Sequence, residues 1–403
     1  MTTVVALGAA GALALTGCSS SKKNNGGGGL GGGGNTSGAS SSGSGGGPSG
    51  TIKIGFEGPL SGQNAQLGIN EEYGAQIAVQ QANADSSLGF KVQLVTSDDE
   101  GLPEKSPAAA TQLIQDPAIL GVVGPSFSGS TLAVGKSYSA AGMAFITPSA
   151  SNGTLQQQGF STFHRIIPND NVEGSQGADW LARKGIKKLF VLQDLSPYGK
   201  GVGDTVAQEA RAKGVQVTEQ GLDGTTTKNY GPIAQTITAS GSDALFYAGY
   251  DAQAALLAKS LNAAGYKGIK VGGNGIKSSV FTSSSGKDGD GWFMTCGCQD
   301  ATTAPSAQAF ATAYQAKFHT PPSTYSPEAY DATNLLIQAI KSSGTSPTRA
   351  SVEQQVKSIT FKGITADIKF QSNGDLQANG EVVNLYTQKN GQIKSLGNIK
   401  DQH

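Results

Sequence analysis

From Thr51 onward the chain alternates short apolar runs with longer stretches whose apolar positions recur every three or four residues. Short apolar runs bounded by glycine, proline or polar residues read as buried strands, and the longer spacing reads as helix. Strands are predicted over 52–56, 92–95, 119–123 and 144–147, with helices over 70–83, 108–114 and 130–141 between them. After Pro168 the alternation resumes. Helices over 172–183, 202–212, 233–238 and 252–263 are followed by strands over 189–192, 215–217, 244–247 and 269–271. Repeated βα units predict parallel sheets covered on both faces. Roughly 350 residues exceed one comfortable core, so two such lobes are expected. Ligands of open α/β sheets bind beyond the carboxyl ends of strands, which directs attention to the loops that follow them.

The first fifty residues break this pattern. Residues 4–15 are an apolar run that ends in Thr16, Gly17 and Cys18. It is too short to span a bilayer, which needs ~20 residues. An apolar run followed by small residues and a cysteine resembles the lipobox of bacterial lipoproteins. That resemblance implies a signal peptide over 1–17 and a lipid on the Cys18 thiol, anchoring the protein at the outer face of the cytoplasmic membrane. Met1, Thr2 and Thr3 carry no Lys or Arg, whereas a signal peptide normally begins with positive charge. This points to a start upstream of Met1. Residues 19–50 are almost entirely Gly, Ser, Asn and Lys and cannot bury apolar surface. They read as a disordered tether of roughly 30 Å r.m.s. span.

Composition narrows the function by exclusion. Lys+Arg and Asp+Glu both number 29, so the net charge is zero, and charged residues make up 14% against about 25% in an average domain. Neither a nucleic-acid partner nor a polybasic membrane surface is expected from that balance. Three cysteines cannot staple a chain of 403 residues. The run from Gly129 to Ser137 imitates a phosphate-binding loop, but five residues separate Gly129 from Gly135 where the motif requires four. His164, His319 and His403 are far apart, and Cys296 with Cys298 lacks the second pair of a zinc site. The acidic run Asp98, Asp99 and Glu100 reads as a solvated loop with capping roles. No catalytic group, metal or cofactor is expected.

Five loops after strands carry the positive signal: IGFEGPLSG at 54–62, GVVGPSFSG at 121–129, FITPSAS at 145–151, QDLSPYG at 193–199 and FYAGY at 246–250. In this order and spacing they resemble the branched-chain amino-acid-binding proteins, periplasmic binding proteins of type I fold that serve ABC importers. The resemblance covers about 51–395. It implies two doubly wound parallel-sheet α/β lobes joined by a three-segment hinge and closing on a ligand. The first lobe would comprise 51–168 with 298–380, and the second 169–297 with 381–403. Ser128 follows a strand and opens a helix, where backbone N–H groups and the helix dipole favour an anion. By the resemblance, Ser128 and Ser151 bind a carboxylate, and the Ser149 carbonyl accepts from an ammonium. Tyr198 and Tyr250 cover the ligand, Tyr325 forms an aromatic wall, and Leu67 stands where the branched-chain binders have tryptophan. The bland role for each serine is a cap or turn, and for each tyrosine, packing.

One position departs from the family. Its ammonium-binding carboxylate falls on Asn274, and an amide cannot supply a full charge. Either another acid substitutes, Asp251 first and Asp194 second, or the ligand is not an α-amino acid. Cys296 and Cys298 fall near a crossing between lobes and form either a disulfide, favoured by an oxidising compartment, or two free thiols. The expected protein is a monomeric solute-binding protein, not an enzyme. It hands a small carboxylate-bearing ligand to a permease and its ATPases in trans. The alternatives are a sensor of the same fold that signals to a membrane receptor, and a binder of amides or aromatic acids.

Overall fold

In the computed structural model, residues 47–377 and 381–403 are described. Cys18, the signal segment and nearly all of the Gly/Ser-rich stretch lie outside the described residues. The first half of the fold is β1 (Thr51–Gly58), α1 (Ala65–Ala84), β2 (Lys91–Asp98), α2 (Ser106–Gln115), β3 (Ile119–Val123), α3 (Ser128–Ala140), β4 (Ala144–Thr147) and β5 (Phe163–Arg165). Its 5 strands are all parallel, in the order β2-β1-β3-β4-β5. Side chains alternate across this sheet. Ala144 and Ile146 face one core and Phe145 the other, so β4 must be apolar throughout. Leu113 of α2 and Val134 and Tyr138 of α3 cover the Phe145 face.

The second half follows with α4 (Asp170–Arg183), β6 (Lys188–Gln193), α5 (Pro197–Ala212), β7 (Gln216–Gly221), α6 (Gly231–Ala239), β8 (Ala244–Ala248), α7 (Asp251–Ala263), β9 (Ile269–Gly272), α8 (Ser279–Ser285) and β10 (Trp292–Cys296). The chain then returns through α9 (Gln308–Phe318), α10 (Ser326–Ser342), α11 (Arg349–Ser358) and the hairpin of β11 (Thr360–Lys362) and β12 (Asp367–Lys369). Leu335, Leu336 and Ile340 of α10 and Val352 of α11 cover the Ile146 face of the first sheet. Finally β13 (Asn384–Lys389) and β14 (Gln392–Asn398) join the second sheet as antiparallel strands. That 7-stranded sheet runs β14-β13-β10-β9-β8-β6-β7. Trp180, Val202 and Val206 pack on one of its faces and Ile233, Leu257 and Phe281 on the other.

The fold is thus two α/β lobes, each a mainly parallel sheet between helices. The chain passes between them three times: after β5, after β10 and before β13. The pattern predicted the βα alternation as far as 271 apart from β5. It did not predict β5, α8 to α11 or β10 to β14, and it started α1 at 70 rather than at Ala65. Where α1 crosses the start of α10, a Cβ on Gly74 would lie 2.0 Å from the Ser326 carbonyl oxygen, so only glycine permits that approach. Among the described residues no helix is long and apolar enough to cross a membrane.

Candidate functional site

The first lobe's side of the cleft is built from the ends of β3 and β4. After Val123 the chain turns through Gly124 and Pro125 to Ser126 and Phe127, and α3 starts at Ser128. Thr147, the last residue of β4, donates to the Pro125 carbonyl at 2.7 Å and accepts from the Ala150 amide at 2.8 Å. Ser149 Oγ donates to the Ser126 carbonyl at 2.6 Å. The two loops are therefore tied together, and the Ser149 carbonyl accepts no hydrogen bond among the described residues. Ser128 Oγ accepts from the Asn152 amide at 3.1 Å. The start of α3 thus faces the cleft with its unpaired N–H groups, an arrangement that favours an anion. Behind this wall stands Glu71 of α1, fully buried, which accepts from Ser126 Oγ at 2.6 Å. Its Oε1 has no partner, and burial pushes its carboxyl up to about 8.

The second lobe answers with aromatic rings and an amide. Tyr198 lies in the first turn of α5, Tyr250 immediately precedes α7, and Asn274 and Gly275 follow β9. The Gly275 amide donates to Tyr198 Oη at 3.0 Å, and the Tyr198 and Tyr250 rings lie 5.2 Å apart. A Cβ on Gly275 would stand 2.7 Å from the Gly249 carbonyl and 2.8 Å from the Tyr198 ring, so the loop comes this close only as glycine. Asn274 is held by Glu173 of α4. Its backbone N–H donates to Glu173 Oε1 at 2.9 Å and its Nδ2 to Oε2 at 2.6 Å. Thr295 Oγ1 also donates to Glu173 Oε1, at 2.7 Å. Burial pushes the Glu173 carboxyl up, while hydrogen bonds from Asn274, Thr295 and the Gly297 backbone pull it back.

Between the walls lies a cavity of about 10 Å³. The space is sufficient for about one water molecule, so any larger ligand holds the lobes further apart than they stand here. Of the residues singled out in the sequence, Leu67, Ser128, Ser149, Tyr198, Tyr250, Asn274 and Tyr325 line it. Ser126, Phe127 and Gly275 complete the wall. Tyr325 has a left-handed φ of 66° and an Oη without a partner. The stacked rings of Phe127 and Tyr250, 4.5 Å apart, separate this cavity from an outer one of about 590 Å³ at the cleft mouth.

Three sequence candidates stand elsewhere. Ser151 is buried just outside the wall, with its Oγ 3.5 Å from Asn274 Nδ2 and its carbonyl accepting from the Asp170 amide. Asp251, the first-choice substitute carboxylate, does not reach the cavity. It opens α7, and its oxygens are taken by Ser278 Oγ at 2.5 Å and the Ala252 amide at 2.8 Å. Asp194, the second choice, lines the outer cavity, where it accepts from the Ser196 amide at 2.9 Å. The carboxylates behind the inner walls are Glu71 and Glu173, on helices rather than in strand-end loops. A sequence signal existed for Glu71. It falls on the buried stripe of α1 with Leu67, Gly74, Ala75 and Ala78, at helical spacing, where a charged residue is out of place. Glu173 likewise shares a buried face with Gly177 and Trp180.

Cys296 and Cys298 are joined by a disulfide where the chain leaves β10, and both are buried. Tyr386 Oη and Asn384 Nδ2 donate to the Cys298 carbonyl at 2.8 and 3.1 Å, which fixes this crossing against β13. Among the described residues no group of three or more His, Cys, Asp and Glu side chains is placed to hold a metal ion.

Known proteins share this architecture. The chain is 29% identical over 305 residues to a Leu/Ile/Val-binding protein homolog of Brucella melitensis, covering 75% of this chain and 82% of the relative. It is 27% identical over 330 residues to the leucine-, isoleucine-, valine-, threonine- and alanine-binding protein of Pseudomonas aeruginosa, covering 81% and 87%. The crystal structure of a leucine-binding protein from Thermotoga maritima superposes with a TM-score of 0.80 at 23% identity, covering 86% of this chain and 98% of that one, and so shares the fold. The model of the family described as periplasmic binding protein matches residues 51–392. With two parallel-sheet lobes, strand-end loops meeting across a cleft and a family match over most of its length, the chain belongs to the periplasmic binding protein family.

Proposed function

We propose that this protein is the extracytoplasmic solute-binding component of an ABC importer and captures a small amino-acid-like ligand between its lobes. The observation that carries this reading is the asymmetry of the inner cavity. One wall is the N-terminus of α3 with Ser126 and Ser128, a group of donors suited to a carboxylate. The other presents the rings of Tyr198 and Tyr250 with the Asn274 amide, and the free Ser149 carbonyl adds an acceptor. The similarity to the leucine-, isoleucine-, valine-, threonine- and alanine-binding protein of Pseudomonas aeruginosa supports the same ligand class. Binding energy would close the lobes, and the permease would read the closed form. The protein carries out no chemistry in this reading.

A thermal-shift screen tests the proposal. A true ligand at 100 times its Kd adds about 2.7 kcal/mol of stability. Amino acids should give that shift, and silence across amino acids, carboxylic acids and amides alike would sink the proposal. Anchoring at Cys18 belongs to the same reading, since an importer's binding protein must stay near its permease. Cys18→Ala should abolish incorporation of a labelled fatty acid, and unchanged labelling would refute the anchor.

A further inference from the structure

We infer that Glu173 determines the ligand's charge class: it locks the Asn274 amide with Oδ1 toward the cavity and supplies the negative charge behind it, so that the site selects an ammonium. This rests on the proposed function, which assigns the opposite wall to a carboxylate. The geometry is specific. An asparagine can present either end of its amide, and a neighbour's hydrogen bonds decide which. Here both Glu173 oxygens face Asn274, one taking its backbone N–H and the other its Nδ2. A carboxylate cannot face the amide oxygen without repulsion, so the amide has one orientation. Asn274 lines the cavity, and its Oδ1 accepts no hydrogen bond among the described residues. With the free Ser149 carbonyl, the inner cavity is therefore lined by two residues whose acceptors need a donor.

The charge follows from the neighbours. Three hydrogen bonds, from Asn274 N, Asn274 Nδ2 and Thr295 Oγ1, favour the ionised form of Glu173. Among the described residues no Lys, Arg or His makes an ion pair with it. Arg165, whose charge acts on the neighbouring Asp170, is bonded to Asp375, and Lys277 donates to Thr324 Oγ1 and lies over the Tyr386 ring. Asp170, one turn away on α4, is pushed up to about 8 by burial and by the charge on Glu173, so it stays neutral at pH 7. Glu173 is thus a buried carboxylate that no countercharge pairs among the described residues, one amide group from the cavity. Buried charges require a partner, and a ligand ammonium on Asn274 Oδ1 is placed to be that partner. Glu173 touches Asn274 rather than the ligand and acts as a positioning residue.

The test separates charge reading from folding. Titration calorimetry of the full-length protein would use the twenty proteinogenic L-amino acids and, for each that binds, the same acid lacking the amino group. Wild type should prefer the amino acid by about 30-fold or more, the usual scale for a buried charge partner. Glu173→Gln should erase that preference while leaving the des-amino acid within about threefold. The exchange Glu173→Gln with Asn274→Asp moves the charge into the wall and should restore at least about tenfold of it. If Glu173→Gln fails to fold, Asn274→Leu removes the acceptor and carries the same expected loss. Equal weakening of both ligands, no change in either, or no recovery in the exchange would overturn the inference. Wild type that binds the des-amino acids but not the amino acids would overturn it and leave the carboxylate wall standing. Binding of neither set would remove the proposed function and this inference together.

Discussion

Each lobe stands a fully buried glutamate behind its half of the ligand wall, and the two differ in the number of donors they receive. Glu71, behind the first lobe's serines, receives one hydrogen bond from Ser126 and leaves an oxygen unpartnered, so burial pushes it up to about 8 and it is neutral at pH 7. Glu173, behind the second lobe's amide, is also raised by burial but receives bonds from Asn274 and Thr295 that pull its carboxyl back. The number of donors, not the depth of burial, separates them. The difference suits the walls in front. A helix N-terminus that is to receive an anion must not have a negative charge behind it. An amide that is to receive a cation gains from one.

Adding a charge to the first wall is the harshest way to break this contrast. Ser128→Asp would set a carboxylate against the ligand's own carboxylate in a dry cavity and should weaken binding by about 3–5 kcal/mol, the cost of an unpaired buried charge. Isothermal titration reads it directly, and a loss under tenfold would mean that the anion lies elsewhere. The second wall should respond more mildly, because its aromatic rings act by contact. Tyr198→Ala and Tyr250→Ala should each cost about 1–3 kcal/mol of binding with little change in melting temperature. Unchanged affinity in both would leave the second wall to Asn274 alone.

The protonation contrast has a pH signature. Glu71 moves from an ordinary 4.5 to about 8 on folding. Its stabilising contribution is therefore complete below about pH 4.5 and is lost as the pH rises through about 8, because between those values the folded chain holds a proton that the unfolded chain has released. The slope is about 1.4 kcal/mol per pH unit for one group. Asp170, also moved to about 8, contributes in the same direction. Urea unfolding from pH 5 to 9 should show stability falling toward pH 8, with a shallower fall in Glu71→Gln. Identical slopes in the two proteins would show that Glu71 is ionised and that the two walls are alike.

These walls were unequally legible in the sequence. Parallel strands buried on both faces appear as bare apolar runs, so 119–123 and 144–147 were visible and the loops after them could be searched for serines. Ser128, Ser149, Tyr198 and Tyr250, singled out in strand-end loops by the family resemblance, all line the inner cavity, the serines on the first wall and the tyrosines on the second. The antiparallel addition of β13 and β14 has no βα signature, and most of β14 is partly or fully exposed, so its hydrophobic pattern is faint. Glu71 and Glu173 were missed because they lie in helices, where a charged residue is normally solvent-facing. Only the packing of α1 and α4 against the cleft turns them inward.

Asp251 shows the same limit from the other side. Its position directly after Tyr250 made it the natural replacement for a missing ammonium-binding carboxylate, since it follows a strand and its neighbour lines the cavity. A residue at the start of a helix has a second use for its oxygens, however. Asp251 Oδ1 accepts from the Ala252 amide in the first turn of α7, and Oδ2 from Ser278 Oγ, which itself caps α8 at the Phe281 amide. The carboxylate thus ties the starts of two helices together, and burial pushes it up to about 6. Asp251→Asn keeps the shape and one acceptor, and should cost about 1 kcal/mol of stability. It should not discriminate between an amino acid and its des-amino analogue, whereas Glu173→Gln should. Calorimetry on both variants with the same ligand pair compares a loop carboxylate used for structure with a helix carboxylate used for recognition. A selective loss of amino-acid binding in Asp251→Asn alone would reverse the two assignments.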